Sequence, residues 1–285
     1  MISTIKKANK KYTIRELCRL LGVKSSTFYY QQEEKLIKPD VVKMLSIIKS
    51  TATETHDTYG KRRMAKVLNN NGFPVGIHKT SSLMKQANIV AVNPKKKHTY
   101  AHSDQEHRKA PNILSRQFNP GTINTHWTGD ITFIRTHCGW SYLACVLDLG
   151  ARDIVGWAMS QQPNAELTKE ALRQAIQKKR PDTTKLLFHS DQGVQYSAKT
   201  FVAYLDLFDI SQSMSRRGNC WDNSVMERFF RSLKTERLNG LSFMNHASVL
   251  AVVHQYIHFY NHQRLHSTLD YLTPSQKRRE LKNTA

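Results

Sequence analysis

Three acids fall where acids are uncommon. Asp130 sits inside WTGDITFIR, Asp191 ends LLFHSD, and Glu227 lies in DNSVMERFFRSLKTE, each among apolar neighbours. A lone Asp at a strand end is ordinarily a cap or half of an ion pair. Three such acids left unpaired would be costly to bury, so a site that holds cations is the more economical reading. Two divalent ions about 3.5–4 Å apart suit an in-line displacement at phosphorus, because charge builds on both the attacking and the leaving oxygen. Mg²⁺ prefers oxygen ligands and keeps several waters, so a few carboxylates suffice. One carboxylate bridging both ions, with one more for each, would complete the set. Arg231 and Lys234 follow Glu227 at i+4 and i+7 on one helical face. Their ordinary role would be an intrahelical ion pair worth a few tenths of a kcal/mol; beside such a site, Lys234 would instead hold a phosphate.

For these acids to meet, the chain must bring distant segments together. WTGDITFIR, WSYLACVLD and IVGWAMS are three successive β-rich runs separated by turn residues, as in an antiparallel meander. A helix is predicted over 165–179, a short buried strand over 186–191, a helix over 198–208 and a strand over 210–214. Long helices follow over 221–237 and about 247–261. This order predicts an α/β fold, a ribonuclease-H-like core with a mixed five-stranded sheet and helices on both faces. In that order the first strand is central, the fourth lies beside it, and the late helix crosses their ends.

The chain carries 43 Lys+Arg against 22 Asp+Glu, a net charge of +21. Neutralising phosphates releases counterions, so a polyanion is the expected partner. Residues 1–110 hold 22 basic and 8 acidic residues, which places the excess at the front. There Thr13 and Glu16 fit a capping box, and Gly22 separates two short helices in a helix-turn-helix pattern with Lys24 at the turn. Tyr59-Gly60-Lys61-Arg62-Arg63 opens a second helical module, with Arg62 and Arg63 as candidate DNA contacts. Residues 93–125 are polar, basic and Pro-punctuated, and read as a linker that could track a phosphate backbone. The expected domains are 1–40, 41–92, the linker 93–125, the core 126–240 and a C-terminal helical segment 241–285. Cys18, Cys138, Cys145 and Cys220 form no CxxC pair, which suits reduced thiols. No apolar run approaches the roughly 18 residues of a membrane span, and a cytoplasmic, nucleoid-associated protein is expected.

At WTGDIT, HSDQGVQY, SMSRRGNCWDNSVMERFFRSLKTE and YIHFYNHQRLHSTLDYLTPSQ the sequence resembles the DDE transposases of bacterial insertion sequences. The likeness is to the second-frame (OrfB-type) protein of the IS-three family, which is related to retroviral integrases. The 35 residues between Asp191 and Glu227, and the Lys seven residues after Glu227, are part of it. The resemblance implies strand cleavage at element ends and attack of the freed 3′-hydroxyl on DNA, with Mg²⁺ or Mn²⁺, two ions per site, on Asp130, Asp191 and Glu227. It implies DNA contacts at Lys234, and adds Arg216, Arg217 and Arg264 as candidates, the last within a YN-x-x-R-x-H pattern. Asn219, Asp222 and Asn223 would shape the site, with Asp222 a candidate fourth acid. Partners would be double-stranded DNA (terminal repeats and target), at least one further copy of the chain on DNA, and a first-frame OrfA-type protein or fusion, since the chain has no sustained heptad. His254, His258, His262 and His266 recur every four residues, but a zinc face is less favoured than a helix face that packs or touches DNA. The rival readings are a DNA-binding accessory or regulatory protein with a non-catalytic core, and a nuclease that cuts without joining.

Overall fold

The computed structural model describes residues 2, 4–5, 11–32, 38–92, 110–216 and 219–284. Five strands form one mixed sheet: β1 (His126–Thr136), β2 (Gly139–Asp148), β3 (Ile154–Ser160), β4 (Leu187–Ser190) and β5 (Ser211–Met214). Their order is β3-β2-β1-β4-β5. The first three are antiparallel, while β4 runs parallel to β1 and β5 parallel to β4. The central place of β1 and the position of β4 beside it match the expectation.

Eleven helices lie among the described residues. The front of the chain contributes α1 (Ile14–Leu20), α2 (Ser25–Gln32), α3 (Pro39–Glu54), α4 (Lys61–Asn70) and α5 (Ile77–Gln86). The core and tail contribute α6 (Ala165–Lys179), the single turn α7 (Val194–Ser197), α8 (Lys199–Leu207), α9 (Ser224–Leu233), α10 (His246–His262) and α11 (Pro274–Asn283). The Thr13–Glu16 capping box forms with both reciprocal bonds. The helix α3 falls largely within the module expected over residues 41–92. Pro39 opens it, and Met44, Ile48 and Ala52 bury one face at i, i+4 spacing.

One sheet face packs Trp127, Val146, Val155 and Phe188 against α6 and α8 through Leu172, Ala175, Phe201 and Leu205. A Cβ on Gly156 would lie 2.2 Å from the Ala171 carbonyl oxygen, so only glycine lets α6 approach β3 this closely. The other face packs Leu143, Cys145 and Leu147 against α9 and α10. This second core continues into Ile48, Met64, Leu68 and Leu83 of α3–α5, so the second helical module is built onto the sheet domain. The predicted linker is in part a fixed strap. Pro111 O accepts from Met214 N, and the amides of Ile113 and Leu114 both donate to Ser213 Oγ, which docks this segment along β5. Residues 93–109 of that predicted linker lie outside the described residues. No helix among the described residues is long and apolar enough to cross a membrane.

Candidate active site

Three elements carry the three acids. Asp130 lies mid-way along β1, opposite Cys145 of β2. Just before it, Gly129 gives room: a Cβ there would lie 2.5 Å from the Phe188 ring and 3.3 Å from the Tyr196 hydroxyl. Asp191 follows the last residue of β4, where its Oδ1 accepts from Gly193 N at 3.0 Å. Behind it, the buried His189 places Nδ1 2.9 Å from Ser213 Oγ, and burial holds its imidazole neutral with a pKa lowered to about 4. The hydroxyl of Ser213 thus ties β4, β5 and the 111–114 strap into one support for Asp191.

Glu227 rides on α9, whose Met226, Phe229, Phe230 and Leu233 bury one stripe at i, i+3, i+4, i+7. Asn223, just before the helix, accepts from Thr128 Oγ1 at 2.9 Å and so pins the start of α9 to β1, two residues from Asp130. After Leu233 the helix widens into a π turn over Lys234–Leu238, a feature that often marks functional segments.

The acids sense one another. Burial raises the pKa of Asp130, and the charges of Asp191 and Glu227 raise it further. Burial also raises Asp191. Glu227 is raised by burial and then by Asp191. The ammonium of Lys234 is lowered by burial and supported by Asp130, which places it beside the same site. None of the three acids forms an ion pair among the described residues. No three His, Cys, Asp or Glu side chains among those residues stand together closely enough to hold one metal ion. The three carboxylates are hard oxygen donors whose mutual repulsion a cation would relieve, which fits a divalent ion that keeps much of its water.

Tyr196 was missed from the sequence, although it stands in the HSDQGVQY segment. Burial raises its phenol well above the usual range, and the charges of Asp130 and Asp191 add to this. It therefore stays protonated next to the acids. Only its fold-dependent proximity reveals it.

Other predicted site residues divide sharply. Lys24, Arg62 and Arg231 are exposed. Arg63 is half-buried, 3.8 Å from Glu236 and over the Tyr59 ring. Arg217 lies outside the described residues. Asp222 is not a free fourth acid: it is fully buried and accepts from Asn112, Arg116 and Arg216, and the bonds from Arg216 first and then from Arg116 hold its carboxyl far below the usual range. Arg216 is thereby engaged on the protein, and Asn219 accepts from Arg116. Arg264 is likewise engaged on the protein. It is 5% exposed and donates to both oxygens of Glu236 at 2.6–3.1 Å, so it is no free surface cation. The histidine repeat also breaks up: His254, His258 and His262 are exposed on α10, and His266 lies beyond its end.

Two integrase core domain models match the chain, over residues 122–220 and 208–274, and an HTH-like domain model matches residues 42–97. The last falls on α3–α5 rather than on α1–α2. Fold and site together define an integrase-core polynucleotidyl transferase. The chain is 35% identical over 262 residues to the IS600 uncharacterized 31 kDa protein of Shigella sonnei, covering 91% of this chain and 96% of that one. It is 31% identical over 278 residues to the transposase InsF for insertion sequence IS3A of Escherichia coli, covering 95% and 96%. The catalytic core domain of HTLV-2 integrase aligns with a TM-score of 0.43 at 16% identity, over 55% of this chain and 97% of that one. The chain belongs to the IS3 family of DDE transposases.

Proposed function

We propose that the chain cleaves DNA at the ends of its insertion sequence and joins the freed 3′-hydroxyl to DNA, with Asp130, Asp191 and Glu227 as the catalytic acids. The observation that carries this is the placement of the three on adjoining elements, β1, the end of its parallel neighbour β4, and α9 pinned to β1 through Asn223, where each acid senses another without an ion pair among the described residues. Divalent cations, Mg²⁺ or Mn²⁺ and two per site, would be held by these carboxylates and would supply activation of the attacking oxygen and stabilisation of the leaving one. Lys234 would bind a phosphate of the scissile strand and orient it over Asp130. Tyr196, kept protonated, would donate a hydrogen bond to an acid oxygen and fix its direction. A clustered set of acids only weakens the grip of a protein that merely binds DNA, which disfavours the accessory reading. Arg62 and Lys24 are proposed as phosphate contacts of the helical modules, with Arg231 beside the site.

Two element ends must be held together for joining, so at least a dimer on DNA is proposed, acting in the bacterial cytoplasm with a first-frame partner. The test is incubation of a labelled duplex carrying an element end with Mg²⁺ and either wild type or Glu227→Gln. Nicked or joined product from wild type alone is expected. Equal product from both would refute the assignment of Glu227.

A further inference from the structure

Beside α9, on a different face from Glu227, lies a cavity of about 340 Å³. Successive residues step about 100° around a helix, so Ser224, Arg228 and Ser232 form a row roughly a third of a turn from Glu227. The opposite walls bring in Arg63 from α4, Arg152 from the β2–β3 turn, and Arg264 and His266 from beyond α10. Four guanidiniums thus converge from four separate segments of the chain.

Their charge is poorly compensated. Glu236 pairs with Arg264 and lies 3.8 Å from Arg63. Arg152 spends one nitrogen on the neutral oxygens of Phe118 and Asn119. Asp148, the one carboxylate that shifts Arg152, is engaged by Arg278 at 2.6 Å. Arg228 is exposed and makes no hydrogen bond or ion pair among the described residues. The imidazole of His266 registers this field: burial and then all four arginines lower its pKa to about 3. Ser224, Ser232 and Thr268 also line it, with Ser232 Oγ accepting from Arg264 and Thr268 Oγ1 2.9 Å from His266 Nδ1. A cavity with several fixed donors and surplus positive charge suits a phosphate, whose oxygens guanidinium groups bind in bidentate fashion.

We propose that this cavity is a second nucleic-acid subsite, which holds a backbone phosphate of DNA on the flank of the helix that carries Glu227. Arg228 is its free ligand, and Arg63, Arg152 and Arg264 supply the positive field behind it. A strand leaving the carboxylates over α9 reaches this flank within a fraction of a helical turn, so the subsite would set the path of the DNA rather than its chemistry. The inference rests on the transposase reading insofar as it takes DNA as the ligand.

The full chain in chelator is titrated with a labelled duplex of mixed sequence across a KCl series, comparing wild type with Arg228→Ala and Arg228→Lys. Melting temperatures of all three are measured alongside and are expected to agree, because Arg228 supports no other group. Arg228→Ala is expected to weaken binding by roughly tenfold at low salt and to flatten the slope of log affinity against log salt by about one. Arg228→Lys is expected to restore most of that slope. If wild type binds and Arg228→Ala binds with the same affinity and slope, the subsite is refuted while the transposase reading stands, since cleavage is scored separately with Mg²⁺. A second arm adds inorganic phosphate without DNA. Stabilisation of wild type but not of Arg228→Ala, with DNA binding equal in both, would assign the cavity to a free anion and overturn the proposal. Absence of duplex binding by wild type at any salt would overturn both readings.

Discussion

Asp130, Asp191 and Glu227 repel one another, and Asp191 also accepts from the Gly193 amide, a bond that an Asn side-chain oxygen would keep. Asp191→Asn therefore removes repulsion without removing that bond. In chelator its melting temperature should equal or exceed that of wild type by a few degrees, while strand cleavage in Mg²⁺ falls by roughly 10³-fold or more. Added Mg²⁺ should stabilise wild type more than the variant, since ligand binding to the folded state adds stability. Differential scanning fluorimetry with and without metal checks this, and a variant that melts well below wild type in chelator would show the acid to be structural. Gly129 argues the same site from its packing. An added Cβ would lie 2.5 Å from the Phe188 ring, so Gly129→Ala should cost about 1–3 kcal/mol from overpacking and displace Tyr196. A chemical denaturation midpoint equal to that of wild type would contradict the close approach.

The elements were legible because their periodicities are strong and unmixed. The alternating or fully apolar runs of β1–β3 and the i, i+3, i+4, i+7 stripe of α9 each point to one structure, and the three acids read as a site because the predicted strand order brings β1, β4 and α9 together. Pairings across long sequence separations were not legible. Nothing local in NCWDN distinguishes a free acid from the buried Asp222, whose partners Asn112 and Arg116 lie more than a hundred residues away. For the same reason residues 110–118 read as a basic linker, although Leu114 is buried and the segment is fixed to β5 and Asp222. This strap yields a pH prediction. The folded pKa of Asp222 is depressed, first by its bonds to Arg216 and then by Arg116. Its stabilising contribution is thus fully present above the unfolded carboxylate pKa of about 4 and is lost as pH falls below that toward the folded value. Tryptic cutting after Arg116 at neutral pH should be slow in wild type and faster in Asp222→Asn. The loss of stability below about pH 4 should also be shallower in the variant. Identical digestion rates would mean that the carboxylate does not hold the strap.

On the scale of the whole molecule, the helical module and the catalytic domain meet through a buried polar junction as well as through a shared apolar core. Tyr59 accepts from Leu265 N at 2.8 Å, and Arg63 reaches toward Glu236. Glu236 in turn accepts from Arg264 and from the Tyr256 hydroxyl at 2.9 Å. The π turn over Lys234–Leu238 presents both Lys234 to the acids and Glu236 to this junction, so catalytic geometry and module docking share one short segment. Glu236→Gln would leave the guanidinium of Arg264 buried without its counter-charge, beside the positive charge of Arg63. Removing one partner of a buried pair in this way costs about 3–5 kcal/mol. Replacing both partners, as in Glu236→Leu with Arg264→Leu, should recover most of that cost, because packed apolar groups avoid desolvating either charge. Urea unfolding followed by both far-ultraviolet dichroism and tryptophan fluorescence would test the pair of variants. In wild type the two probes should coincide, as one cooperative unit requires. In Glu236→Gln the midpoint should drop and the probes separate, since all four tryptophans lie at or after Trp127 while the module is purely helical. A single variant that loses less than about 1 kcal/mol with coincident probes would show that the apolar core alone docks the module, and that Glu236 serves only to neutralise the cavity beside it.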